Sequence, residues 1–219
     1  MVTICGIDEA GRGPVLGPMV LAGVVISEDR LPELVKLGVK DSKLIAPKKR
    51  EELYKKIIDL VDNYTIIEVS PNQIDQKNES GTNLNQLEAI KIAQILNKLK
   101  PDKAILDSPE PTAAKFGVMV NKLLNGQDIE IISEHKADMN YPVCSAASIL
   151  AKVARDRSIK KIEQEIGYKI GSGYPADPNT KHFLQNHYSD DKHIQYIRTC
   201  WSTYQKLNGT KLQSNLKNW

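Results

Sequence analysis

The segment Ile4-Cys5-Gly6-Ile7-Asp8-Glu9-Ala10-Gly11-Arg12-Gly13-Pro14 constrains the fold of this chain more than any other. An apolar run of strand character carries straight into two adjacent carboxylates. A Gly-Arg-Gly-Pro turn follows, and then a second apolar run from Leu16 to Ile26. Ionised carboxylates at the end of a buried strand are costly to desolvate unless a cation or hydrogen bonds compensate them. The glycines beyond them carry no Cβ and let the backbone approach a ligand closely. The combination points to a carboxylate metal site with a phosphate or nucleic-acid backbone beside it. An acidic strand-end turn without a ligand is the plainer alternative, and the attached Gly-Arg-Gly-Pro weighs against it. A dinucleotide site is excluded. Gly11, Gly13 and Gly17 are spaced one residue too widely, Pro14 interrupts them, and a strand follows where a helix N-terminus would be needed.

Further along, Ser27 to Val39 reads as a polar connection leading to Lys40-Asp41-Ser42-Lys43-Leu44. Pro47 fits the first turn of a helix carrying Leu53, Ile57, Leu60 and Val61 at helical spacing. Tyr64 to Val69 reads as a third strand. Thr82 or Asn83 can cap a helix from Leu84 to about Leu99, which Pro101 ends. Ala104-Ile105-Leu106-Asp107 repeats the architecture of Ile7-Asp8: a short apolar strand ending in a carboxylate. Such a residue is commonly only a turn cap. Two strand-end carboxylates meet, however, when their strands are neighbours, because sites gather at the carboxyl edge of α/β sheets. A helix over Thr112 to Asn125, a fifth strand over Ile129 to Ser133 and a long helix from Tyr141-Pro142 to Ile166 follow. The long helix has a small-residue face of Ala146, Ala147, Leu150, Val153 and Ala154. Asp138 stands near its start, where an acid is favourable by helix dipole alone. Gly171 to Pro178 is a turn-rich loop bearing Tyr174, and a last helical region spans about Lys192 to Leu207. Strand, strand, strand, helix, strand, helix, strand, helix predicts an α/β fold with a mixed five-stranded sheet flanked by helices.

The formal net charge of +3 suits transient binding of a polyanion without requiring it. Three scattered cysteines, Cys5, Cys144 and Cys200, suggest reduced thiols. Asp8 interrupts the only apolar run near the N-terminus, so no secretory leader is expected, and no stretch approaches membrane-spanning length. A soluble, cytoplasmic monomer is expected.

Asp-Glu-Ala-Gly-Arg-Gly-Pro resembles the signature of type 2 ribonuclease H, in its archaeal-like form. Asp41-Ser42-Lys43 resembles that family's second motif, and His135-Lys136-Ala137-Asp138 with Ser145 to Lys152 resembles its third. The resemblance implies the ribonuclease H-like fold over residues 1–190, a helical extension over 191–210 and a tail over 211–219. It implies an endonuclease for RNA–DNA hybrids and for DNA duplexes with embedded ribonucleotides, cutting 5′ to the ribonucleotide and leaving 3′-hydroxyl and 5′-phosphate. Asp8, Glu9, Asp107 and Asp138 would be catalytic and hold metal; such hard oxygen ligands suit Mg²⁺ or Mn²⁺, two ions in the catalytic complex. His135 is not needed as a ligand. Gly11, Arg12, Gly13 and Lys43 would contact the substrate backbone, and Tyr174 would stack on the sugar beside the scissile ribonucleotide. Between Tyr174 and Thr180-Lys181-His182 the chain departs from the tighter turn of bacterial-looking members. Two other readings were weighed, type 3 ribonuclease H and a non-catalytic hybrid-binding module. Arg12 in place of the Lys usual in type 3, the absence of a preceding domain, and the full set of carboxylates favour type 2. In the tail, Gln213, Leu216 and Trp219 fall at i, i+3 and i+6. They resemble the peptide by which replication and repair enzymes bind the sliding clamp, with one aromatic where a pair is usual.

Overall fold

The structure is a computed structural model that describes residues 1–39, 45–79 and 81–216, with side chains for 1–39, 45–77 and 81–209. Lys43 and Trp219 therefore lie outside the described residues. Gln213 and Leu216 lie in a described helix without their side chains.

The chain divides into two compact units. The first comprises Met1–Ala10 and the described residues of Val20–Glu68 and Asn83–Ala154. Its sheet is built from β1 (Thr3–Ala10), β2 (Met19–Ser27), β3 (Asn63–Val69), β4 (Lys103–Asp107) and β5 (Glu130–Glu134), in the order β3-β2-β1-β4-β5. β1 pairs antiparallel with β2, parallel with β4, and β4 pairs parallel with β5. The expected mixed five-stranded sheet is present.

Two glycines in this sheet show what packs on each face. At Gly6 an added Cβ would stand 2.3 Å from the Val143 carbonyl carbon, at the start of α7 (Pro142–Ile166). At Gly23 it would meet Ile95 of α4 (Leu84–Leu99) at 2.4 Å. Strand residues alternate between faces, so Ile4, Gly6, Asp8 and Ala10 belong to the α7 side and Cys5, Ile7 and Glu9 to the α4 side. Ile4, Ala22, Val24 and Ile26 close the first of these faces against Val143, Ala146, Ala147 and Leu150 of α7. The small residues there let helix and sheet approach closely. Asn83 caps α4 through a reciprocal pair with Gln86, as its sequence anticipates. Lys100 closes it in the left-handed conformation before Pro101.

Three local expectations need correction in this unit. The supposed connection Ser27 to Val39 contains α1 (Leu31–Leu37), begun by Pro32 and closed by left-handed Gly38. It buries only Leu34, too little for a hydrophobic period to stand out. The helix expected over Thr112 to Asn125 is the shorter α5 (Ala113–Asn121). Asp138 precedes the long helix in a separate turn, α6 (Ala137–Asn140). The helix expected from Pro47 is α2 (Pro47–Leu60), with Leu53 and Ile57 buried.

The second unit comprises Gly11–Met19, Val69–Thr82 and the described residues from Arg155 onward. It holds α3 (Pro71–Glu79), the C-terminal half of α7, α8 (Pro178–His187) and α9 (Ser202–Leu216). Within the apolar run that starts at Leu16, β2 begins only at Met19. Leu16 forms an isolated bridge to Ile197, and Pro18 breaks the strand before Met19. α3 and α8 were not anticipated. Each starts at a proline, and α8 is capped by Asp177, whose carboxylate accepts the Asn179 N–H at 2.9 Å. The last helical region is a 3₁₀ turn at Ile194–Tyr196 followed, after a break, by α9. Val15, Leu16, Ile159, Ile162, Ile170, Phe183, Leu184 and Ile197 form this unit's core. Among the described residues no helix is long and apolar enough to cross a membrane.

Candidate active site

The carboxylates of the first unit are gathered by strand register. The parallel ladder of β1 and β4 ends with Ile7 opposite Leu106. One residue beyond that pair, toward the carboxyl end of β1 and at the last residue of β4, stand Asp8 and Asp107. Asp8 is 6% exposed. Its Oδ1 accepts the Glu9 N–H at 2.8 Å, and the Ser148 hydroxyl of α7 donates to the carboxylate as well. Burial pushes the Asp8 carboxyl well above its usual range. The charge of Glu9 adds to that, and Asp107 adds further. The same negative field, after burial, holds the Cys144 thiol up, so this cysteine is an inert packing residue.

Asp107 is tied to the next carboxylate through the backbone. Its Oδ1 accepts the N–H of Ala137 at 3.1 Å, at the start of α6, and Asp138 is the following residue. Asp138 is 4% exposed, and its own carbonyl accepts the Ser145 hydroxyl of α7. The turn into α6 passes through Lys136 at φ 58°, a left-handed conformation that a lysine adopts only at a cost of about 1 kcal/mol. His135 explains part of the rigidity. Its ring nitrogens lie 3.3 Å from the carbonyls of Ser108 and Pro111, so whichever nitrogen carries the proton ties His135 to the turn after β4. Glu134 is engaged by the Tyr141 hydroxyl at 2.9 Å.

Asp8, Glu9, Asp107 and Asp138 thus belong to one sheet edge, with Glu9 leaving β1 on the opposite side from Asp8. Among the described residues no three of these four bring their oxygens within 4.8 Å of one another. The donor set is oxygen only, partly buried and self-repelling, which fits a hard divalent ion and not zinc.

In the second unit, the Gly-Arg-Gly-Pro loop is held by its carbonyls. The guanidinium of Arg198, 0% exposed, donates to Gly11 O at 2.6 Å, Arg12 O at 2.8 Å and Gly17 O at 3.1 Å. Trp201 Nε1 donates to Gly13 O at 3.0 Å, and the Arg198 guanidinium lies 5.0 Å over its ring. Arg155 donates to Pro18 O and Ser172 O. Burial and the neighbouring Arg155 bring Arg198 down to about 9, which leaves it a cation at neutral pH. Gly11 is indispensable here: it sits at φ 80°, and a Cβ would stand 2.0 Å from Arg155 Nε. Because C=O and N–H of a planar trans peptide point in opposite directions, the N–H groups of Arg12 and Gly13 are turned away from Arg198.

Tyr174, 45% exposed, lies beside this loop. Its Cε1 would be 3.4 Å from a Cβ at Gly13, and Arg155 stands 5.9 Å over its ring. The longer connection to Thr180 does not detach the tyrosine. The Thr180 hydroxyl accepts the Gly173 N–H at 3.0 Å and donates to Ile170 O at 2.7 Å, while Asp177 accepts from the Ser172 N–H and hydroxyl. From sequence, Arg155 and Arg198 carry no sign of a role, Ser148 is only a member of the third motif and Trp201 only a residue that packs on the body. An arginine inside a helical pattern reads as a solvated charge, and only the tertiary fold shows these two arginines buried.

A profile of the family Ribonuclease HII matches residues 5–204. Ribonuclease HII of Thermococcus sibiricus is 47% identical over 97% of this chain and 96% of the relative. A crystal structure of ribonuclease H2 from Pyrococcus horikoshii matches with a TM-score of 0.87 at 40% identity, covering 95% of this chain and 98% of that one. A structure of the PCNA:RNase HII complex from Archaeoglobus fulgidus matches with a TM-score of 0.83 at 35% identity, covering 92% and 96%. Strand-end carboxylates, an arginine-braced glycine loop and near full-length kinship agree: the chain belongs to the ribonuclease HII family.

Proposed function

We propose that this metal-dependent ribonuclease H endonuclease hydrolyses the RNA strand of RNA–DNA hybrids and cuts 5′ to ribonucleotides embedded in DNA, leaving 3′-hydroxyl and 5′-phosphate ends. The observation that carries the reading is the Asp8–Asp107 juxtaposition at the ends of paired parallel strands, with the Asp8 carboxyl destabilised as an anion by burial and by its acidic neighbours. A divalent ion is the natural compensation for that charge. Asp8, Glu9, Asp107 and Asp138 would hold Mg²⁺ or Mn²⁺, as a pair of ions in the catalytic complex. Bound there, such ions supply charge neutralisation and Lewis acidity for an in-line displacement by water.

The chain's own groups do the rest. Ser148 and the Glu9 N–H orient Asp8, and the Ala137 N–H orients Asp107. The outward N–H groups of Arg12 and Gly13 meet the ribose 2′-hydroxyl, the local difference between RNA and DNA. The Arg12 guanidinium meets phosphate, Lys43 contacts the substrate backbone, and Tyr174 stacks on the sugar that follows. Residues 1–190 carry catalysis, and 191–210 serve it by bracing the glycine loop through Arg198 and Trp201. Gln213, Leu216 and Trp219 dock on a sliding clamp; the Archaeoglobus fulgidus relative solved as a PCNA:RNase HII complex supports that reading. The protein acts as a monomer in the cytoplasm.

The test is digestion of a DNA duplex containing one ribonucleotide, with and without Mg²⁺ or Mn²⁺. Asp8→Asn should still bind the duplex and cut it at least about a hundredfold more slowly, the scale of losing an oriented catalytic group. Full activity in Asp8→Asn would overturn the assignment.

A further inference from the structure

A second constellation of metal-ligating side chains stands in the second unit and plays no part in the chemistry above. His187 ends α8, and Asp190 and His193 follow in the turn before Ile194–Tyr196. One ligand atom from each of the three lies within 4.8 Å of the other two. We propose that His187, Asp190 and His193 form a structural site for a transition-metal ion of the Zn²⁺ class, other than the carboxylate centre.

Each ligand is held in a way that suits this role. Asp190 is fixed by its turn. Its Oδ1 accepts the Lys192 N–H at 3.0 Å and its carbonyl accepts the His193 N–H at 2.9 Å, while Oδ2 is presented to the histidines. His193 is 8% exposed, and its Nδ1 lies 3.2 Å from that Oδ2. The pair is nevertheless not a hydrogen bond. Nδ1 is a buried nitrogen with no hydrogen-bond partner, and its contact with Oδ2 is a charge pair only when the ring is protonated. A buried, unsatisfied imidazole nitrogen aimed at a carboxylate and a second imidazole is costly without an ion and well used with one.

The surroundings are those of a metal site as well. Tyr168 lies 4.4 Å from the His187 ring, and Phe183 lies 5.2 Å and 5.6 Å from His187 and His193, centroid to centroid. These rings flank the imidazoles and shield the buried His193, as an apolar shell does in metalloproteins. Two imidazoles and one carboxylate select a borderline ion over Mg²⁺, which prefers oxygen alone. Donors about 2.0–2.2 Å from a tetrahedral ion stand about 3.3 Å apart, so the spacing within 4.8 Å would close by rotation of the half-exposed His187 toward the fixed Asp190.

The site has a structural use. It would tie the end of α8 to the turn that continues into Ile197 and Arg198, and Arg198 holds the carbonyls of Gly11 and Arg12. Metal bound at 187–193 would therefore stiffen the glycine loop.

The metal-stripped full chain would be titrated with Zn²⁺ against a chromophoric chelator, and with Co²⁺ by visible absorption, beside Asp8→Asn, His187→Gln and His193→Gln. The expected result is a Zn²⁺ equivalent that survives in Asp8→Asn, raises Tm, gives the intense absorption of tetrahedral Co²⁺, and weakens at least about tenfold in His187→Gln. Should His193→Gln fail to fold, half-exposed His187→Gln still decides the matter. Zn²⁺ affinity unchanged by His187→Gln, or lost with Asp8→Asn, would overturn the proposal.

Discussion

Replacing Gly6 with alanine should damage both stability and catalysis, and the structure sets the scale. A Cβ at this position would stand 2.3 Å from the Val143 carbonyl carbon and 2.5 Å from both Val143 O and Cys144 N. Ordinary contact begins near 3.4 Å, so the start of α7 must retreat by about 1 Å. The opposing atoms are main chain of a 25-residue helix, which no rotamer change can move aside. Overpacking of this kind costs about 1–3 kcal/mol, and a backbone clash belongs at the upper end. For a chain of this length Tm should fall by roughly 6–12 °C. The catalytic consequence is separate. The same first turns of α7 carry Ser145, which donates to Asp138 O, and Ser148, which donates to Asp8. A shift of about 1 Å in such supports can cost about a hundredfold in rate. Calorimetry would be paired with cleavage of a single-ribonucleotide duplex, measured well below either Tm. Gly209→Ala is the control: nothing lies within 4 Å of its Cβ position, and in a helix the change should be neutral or stabilising by about 0.5–1 kcal/mol. A Gly6→Ala protein with the parental Tm and rate would refute the close approach of sheet and helix.

Three further outcomes are expected. Asp177→Ala should cost about 1 kcal/mol by removing the cap of α8. Its pH signature follows from the Ser172 N–H and hydroxyl, which hold the Asp177 carboxyl below its usual range. The stability it adds is present above the unfolded value of about 3.9 and is lost as pH falls through the folded value, so melts taken down to about pH 3 should show that loss in the parent and not in the variant. Arg198→Lys replaces a fork that serves three carbonyls with a single ammonium, and should lower stability by about 1–3 kcal/mol while raising KM for the duplex more than it lowers kcat. Tyr174→Ala should slow cutting at one embedded ribonucleotide about tenfold or more, given about 1–3 kcal/mol for stacking, and slow cutting of a long hybrid less; equal losses would show that the ring only packs.

The sequence carried the sheet and the carboxylates because both have strong local marks. β1, β3, β4 and β5 are short apolar runs, and Asp8 and Asp107 end two of them at corresponding positions. Asp138 was legible only through its resemblance to a family motif, since its proposed role depends on a four-residue turn that no periodicity reveals. α1 and α3 were hidden because short helices bury too few residues to impose a period. α8 was hidden for a different reason: its cap, Asp177, lies in a stretch of Gly, Pro and Asp that reads equally well as loop. Arg155 and Arg198 could not have been found at all, because their partners are backbone carbonyls, and carbonyls leave no trace in side-chain identity.

Those two arginines also change how the charge of the chain is to be read. A formal net charge of +3 suggests a mildly basic surface. Yet Arg155 and Arg198 are buried and spend their donors on the carbonyls of Gly11, Arg12, Leu16, Gly17, Pro18 and Ser172, so neither is available to a phosphate. What they provide instead is orientation. By collecting the carbonyls of Gly11 and Arg12 on one side, Arg198 commits the N–H groups of Arg12 and Gly13 to the other, at a loop whose Gly13 is exposed and has Tyr174 near the place of its missing side chain. A mobile lysine would follow phosphate wherever it lies, in DNA as in RNA. On the proposed function, a fixed pair of N–H groups instead presents donors at one position, where a 2′-hydroxyl is either present or absent. On that reading the loop favours discrimination over grip, and a buried cation, costly as it is to desolvate, is what holds the donors in place.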